Sequence, residues 1–179
     1  SKIESSSFIA PPILNHFPAA TSSARIAISG VASKDQKISL YINNNLIDEI
    51  KTEEDGSFSF ESTLKSGENI IKAKAIVQDR ESGFSEPLNV IFKSAPPSLN
   101  IKVPIDGQSF GSDQNIADVQ GATDQDVKIT INGFWAITDS DGSFSYRLPL
   151  QNGENKINVT ATDIAGNKTE KEIRINYSQ

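Results

Sequence analysis

The 179 residues hold 17 Lys and Arg against 23 Asp and Glu, a net charge of −6, and no basic cluster offers the stripe that nucleic acid or an anionic lipid surface requires. The lack of cysteine removes disulfides and thiol chemistry, and suits a cytosolic protein as well as a bacterial surface protein whose domains rely on packing alone. No apolar run approaches the roughly 20 residues of a spanning helix and no signal peptide opens the chain, so membrane attachment is expected only through an anchor outside it.

The chain opens on Ser1 and contains no Met, and reads as an excised or processed piece of something longer. Residues 1–10, with Ser5, Ser6 and Ser7 in a row, read as a flexible tether into Pro11-Pro12. From there the periodicity is two. Ile38, Leu40 and Ile42 alternate with Lys37, Ser39 and Tyr41, and Asn43-Asn44 gives a hairpin turn signal. Asp55-Gly56 turns the chain into Ser57-Phe58-Ser59, Phe58 and Phe60 share a face, Ile71, Ala73 and Ala75 alternate, and Leu88, Val90 and Phe92 form a closing strand.

The same text then returns. Asp55-Gly56-Ser57-Phe58-Ser59 reappears as Asp141-Gly142-Ser143-Phe144-Ser145, and Gly67-Glu68-Asn69 as Gly153-Glu154-Asn155, both at a spacing of 86 residues. From Asp55 to Ala75, 11 of 21 positions match their partners in Asp141 to Ala161 without a gap. Solenoid units run roughly 20–50 residues, so this period points to a whole small domain duplicated in tandem. Val127, Ile129 and Ile131, the Asn132-Gly133 turn, and Ile157, Val159 and Ala161 repeat the earlier runs, with Ile173, Ile175 and Tyr177 as the second closing strand.

Each copy is announced by a Pro-Pro pair, and the joint is Lys93-Ser94-Ala95-Pro96-Pro97, short and stiffened by polyproline geometry. The expected domains are therefore 11–94 and 95–179. About seven short alternating strands per copy predict an all-β protein of two tandem Ig-like, Greek-key β-sandwiches arranged end to end and elongated, with an up-and-down barrel as the structural alternative.

Pro104-Ile105-Asp106-Gly107, Gly121, Ile131-Asn132-Gly133, Asp139 to Phe144, Gly153-Glu154-Asn155 and Ala161-Thr162-Asp163-Ile164-Ala165-Gly166-Asn167 together resemble the bacterial Ig-like domains of surface proteins, including the glucodextranase-type group. The resemblance covers 96–177 well and 11–94 more loosely. The first copy departs at Ile76 to Phe84, where the Thr-Asp-x-Ala-Gly-Asn pattern is missing. It implies a spacer, stalk or adhesive module of bacterial extracellular proteins, or an accessory domain beside a secreted carbohydrate-active enzyme.

Candidate chemistry is sparse. The single imidazole, His16, has no Gly-x-Ser-x-Gly elbow beside it and reads as an ordinary strand or edge residue; neither a zinc set nor a phosphate loop is present. Asp139-Ser140-Asp141-Gly142 imitates the start of a calcium loop, but no third ligand precedes the glycine and Leu150 stands where the closing Glu belongs. A turn explains it and Glu53-Glu54-Asp55-Gly56 at lower cost. By resemblance to repeats that hold calcium at domain junctions, Asp79, Asp106 and Asp163 join Asp139 and Asp141 as metal candidates. Glycosidase chemistry needs two acids about 5–10 Å apart across a cleft, which a small sandwich without long loops seldom provides.

Phe134-Trp135 follows the Asn132-Gly133 turn, and an exposed aromatic pair there would stack on sugar rings; the preferred alternative packs one ring in the core and lays the other along the sheet. Asn-x-Ser/Thr sequons begin at Asn158, Asn167 and Asn176 and matter only in a glycosylating host. The expectation is a non-enzymatic module, without cofactor, at the bacterial cell surface or envelope. Its partners are the other domains of a parent protein and a protein or glycan ligand; carbohydrate binding beside an enzyme is the alternative.

Overall fold

The computed structural model describes residues 7–179 and divides into two compact units between Ser94 and Ala95. The first six residues of the expected tether lie outside the described residues. Of its described end, Ile9 packs against the first core, and Arg80 Nη2 donates to Ser7 Oγ at 2.6 Å.

The first unit comprises β1 (Ile13–Leu14), β2 (Ala20–Thr21), β3 (Arg25–Val31), β4 (Lys37–Ile42), β5 (Asn45–Lys51), β6 (Ser57–Thr63), β7 (Gly67–Val77), β8 (Arg80–Glu81) and β9 (Leu88–Phe92). The second comprises β10 (Leu99–Val103), β11 (Ser109–Phe110), β12 (Ile116–Thr123), β13 (Lys128–Ile131), β14 (Phe134–Trp135), β15 (Ile137–Thr138), β16 (Ser143–Pro149), β17 (Gly153–Thr162) and β18 (Lys168–Tyr177). In the first, the sheets are β1-β3-β6 and β2-β9-β7-β4-β5, with β8 on the end of β7; in the second they are β10-β12-β16-β15 and β11-β18-β17-β13-β14. This is the Ig-like sandwich. An up-and-down barrel is excluded, because β2 pairs with β9, and β11 with β18, in parallel.

The strand count exceeds seven per copy for a physical reason. The opening strand of each unit splits, its first part pairing in one sheet and its second part in the other. The second unit splits another strand: after β14 the chain crosses at Ala136, so that β15 joins the opposite sheet beside β16. In the first unit β5 stays along β4, with a bulge between the Leu40 and Tyr41 pairs, and makes no such switch.

Period two becomes burial directly. Ile38, Leu40, Ile71, Ala73 and Ala75 are fully buried in the first core, as are Ile129, Ile131, Ile157, Val159 and Ala161 in the second. Each large side chain contributes about 1.5–3 kcal/mol through removal from water. The repeated Phe has a specific seat. Phe58 lies opposite Gly30 and Phe144 opposite Gly121 across a strand pair, and each ring covers its glycine so closely that a Cβ there would fall under 3.0 Å from ring carbon Cζ. The repeated Gly-Glu-Asn closes the turn into β7 and β17. Gly67 and Gly153 take φ of 89° and 94°, and the Asn69 amide donates to the carbonyls of Lys65 (2.8 Å) and Gly67 (3.0 Å), as Asn155 does to Gln151 (2.7 Å) and Gly153 (3.1 Å).

Candidate functional site

Three of the acidic candidates, Asp106, Asp141 and Asp163, hold backbone amides through their carboxylates. Asp141 Oδ1 accepts from the Ser143 amide at 2.9 Å, and Asp55 Oδ1 from that of Ser57 at 2.9 Å. The Ser143 amide and hydroxyl hold the Asp141 carboxyl below its usual range, and the Ser57 hydroxyl and amide do the same for Asp55. The Asp139 carbonyl accepts from Gly142 N at 3.0 Å. Asp106 Oδ1 accepts from Arg174 N at 2.8 Å, and Asp79 sits at φ 64° in the turn between β7 and β8. Asp163 is buried and caps the β17–β18 turn, accepting from the amides of Ala165 and Asn167, both at 2.9 Å, and from Asn167 Nδ2 at 3.0 Å.

No three His, Cys, Asp or Glu side chains among the described residues converge on one point. Millimolar calcium, or a chelator, is therefore expected to move the melting temperature by no more than about 2 °C in a calorimetric scan; a rise of about 10 °C with calcium would mean that a turn carboxylate is a ligand. His16 lies exposed just past β1.

The aromatic pair corrects the sequence reading. Neither ring enters the core: Phe134 is 64% and Trp135 69% exposed. β14 has two residues, forms the edge of its sheet, and leaves for the other sheet directly, so its residues stand beyond the sandwich interior. Trp135 pairs across the hairpin with Thr130, on the outer face of β13. Two register rows extend from there: Trp135, Thr130, Thr160, Glu170, and Lys128, Thr162, Lys168. The Lys128 ammonium lies 5.8 Å from the indole centroid, and an open recess of about 560 Å³ is bounded by Trp135, Lys128, Thr162, Ile164, Lys168 and Asp126.

In the first unit the β4–β5 hairpin extends farther than its counterpart, and the outer face near its tip is covered. Ser39 and Glu49 hold the places of Thr130 and Trp135, since Ser39 lies opposite Lys74 on β7 as Thr130 lies opposite Thr160 on β17; Tyr41 and Leu46 are one pair nearer the turn. Over that face folds the segment in which the first copy departs from the repeat. Ser82 and Ser85 accept the β7 amides of Ala75 (2.9 Å) and Ala73 (3.0 Å) through their hydroxyls. That anchoring brings the Phe84 ring edge-on to Tyr41, 5.2 Å between centroids, with the ammonium groups of Lys72 and Lys74 each 4.4 Å from the Phe84 ring. Lys74 also pairs with Glu81 at 3.0 Å. The counterpart of the Trp135 recess in this unit, about 540 Å³, is also open, but has Lys37 paired with Glu49 (3.0 Å) and Lys51 with Asp35 (3.1 Å) on its wall. The sequence named Trp135 but not its surroundings, because Thr130, Thr160, Thr162 and Lys168 meet it only through sheet register.

Residues 97–179 match the family model for glucodextranase, domain B. Bacillopeptidase F of Bacillus subtilis (strain 168) is 34% identical over 163 residues, which are 89% of this chain and 11% of the relative, so the chain spans about a ninth of that protein. The fibronectin(III)-like modules of Clostridium thermocellum CbhA superpose with a TM-score of 0.56 at 18% identity, covering 98% of this chain and 93% of theirs.

Proposed function

Because residues 97–179 form an Ig-like domain of the glucodextranase domain B type, we propose that the chain is a non-catalytic, tandem Ig-like spacer or adhesive module of a longer bacterial protein that works outside the cell. One observation carries this reading: the likeness to bacillopeptidase F runs across both units yet occupies only 11% of that protein, as expected of a pair that travels together as a small part of a large chain. The closed chemistry of both sandwiches supports it, since the turn carboxylates are committed to backbone amides rather than to a cleft. The peptidase activity in the relative's name is not carried over.

A spacer must hold its ends apart. Small-angle scattering should give a radius of gyration clearly above the roughly 16 Å of a single compact 179-residue body. A value near 16 Å would overturn the spacer and move attention to a face between the units. The accessory, glycan-holding reading is favoured by one feature, the open indole of Trp135.

A further inference from the structure

We propose that the outer face of β13, β14, β17 and β18 is a contact site for an uncharged polysaccharide, with Trp135 as its stacking surface. The inference deepens the accessory reading and rests on it. The indole is the chain's single tryptophan, and it stands 69% exposed at a sheet edge, where burial gains nothing from it. A pyranose ring presents a face of weakly positive C–H groups, which matches the negative face of an aromatic ring, and its rim of hydroxyls requires both donors and acceptors. The surroundings supply both. Thr130, Thr160 and Thr162 form a half-buried hydroxyl floor beside the ring, the ammonium groups of Lys128 and Lys168 donate from one side, and the Asp126 carboxylate accepts at the rim.

Charge selects the class of ligand. The recess sets Lys128 and Lys168 against Asp126 and Asp163, a balanced set, on a chain of net charge −6. That balance matches a neutral, hydroxyl-rich partner and opposes an acidic polymer, which the whole chain repels. Neither lysine forms an ion pair among the described residues, so both retain donors for a ligand. The duplicated unit serves as an internal comparison. In the first unit the same place in the sandwich carries Glu49 where the second has Trp135, and Lys37, the counterpart of Lys128, is paired with Glu49 at 3.0 Å. Both copies keep a recess at this place, but only the second presents an aromatic ring there and leaves its Lys128 out of an ion pair among the described residues.

The test uses the full chain and four neutral polysaccharides: dextran, soluble β-1,3-glucan, xylan and mannan. Polygalacturonate and polyglutamate serve as acidic controls. At least one neutral polymer should shift or quench the tryptophan emission saturably and retard the protein in affinity electrophoresis. Trp135→Ala should weaken that retardation by about tenfold or more, and Lys128→Ala by a smaller factor. Both variants should keep the wild-type melting curve, since neither side chain is in the core. Retardation that persists in Trp135→Ala would overturn the site while leaving the accessory reading standing. No response to any of the four polymers would overturn both, and stronger binding to polygalacturonate or polyglutamate than to every neutral polymer would overturn the assignment of an uncharged ligand.

Discussion

Replacing Phe144 with alanine is expected to remove about 3–5 kcal/mol from the second unit and to leave the unfolding transition of the first where it stands. The ring is buried, stands opposite Gly121, and fills the space that the glycine leaves open between β10, β12 and β16. Nothing nearby replaces it, because the facing side chains are already packed. A domain of some 85 residues has only about 4–13 kcal/mol in total, so this unit's melting temperature should fall by about 15 °C or more. Calorimetry of the full chain, beside fragments 1–94 and 95–179, reads the result. Two transitions in the variant, of which only one has moved, are expected. A single transition that moves as a whole would mean that the units fold as one cooperative body.

Gly121→Ala is expected to destabilise by about 2–3 kcal/mol, against the usual sign. In an ordinary strand the change from Gly to Ala stabilises by about 0.4–1 kcal/mol, because the unfolded chain loses freedom. Here the new Cβ would fall well under 3.0 Å from the carbonyl oxygen of Asn100 and from Phe144 Cζ, with Phe144 Cε1 at 2.7 Å. A ring can turn, but the Asn100 carbonyl belongs to the backbone of β10, so the strand itself has to move. The same substitution in the Phe144→Ala background relieves only the ring contact, and the double variant should be less unstable than the sum of the singles. Denaturant midpoints of the four proteins test this. Strict additivity would show that ring and glycine do not share one space.

Much of the fold was legible because the buried positions alternate without interruption. Ile38, Leu40, Ile71, Ala73 and Ala75, and their counterparts in the second copy, carry the strand signal and the core in the same residues. The turns were legible through φ. Asn43 and Asn44 take 51° and 66°, and Asn132 and Gly133 take 49° and 84°, which is the hairpin geometry that those residues tolerate. What escaped depends on contacts distant in sequence. Nothing local states that the opening strand of each unit divides between sheets, or that the chain changes sheets at Ala136. For that reason the exposure of both Phe134 and Trp135 was missed. The departure of the first copy at Ile76 to Phe84 looked like a lost motif. It is a replacement, in which two serine hydroxyls stand in for strand carbonyls and an aromatic ring covers the sheet.

The parallel pairing of opening and closing strands decides how each unit meets mechanical tension. β2 follows the entry of the chain and β9 precedes its exit, and the two are joined by bonds from Ile91 N to the Ala19 carbonyl (2.8 Å) and from Lys93 N to that of Thr21 (3.0 Å). β11 and β18 repeat this through Asn176 N to Gln108 O (2.9 Å) and Ser178 N to Phe110 O (3.0 Å). A force that draws the two ends of a unit apart acts along these strands in opposite directions, so the bonds bear the load side by side and yield together. Antiparallel strands pulled from adjacent ends would instead peel one bond at a time.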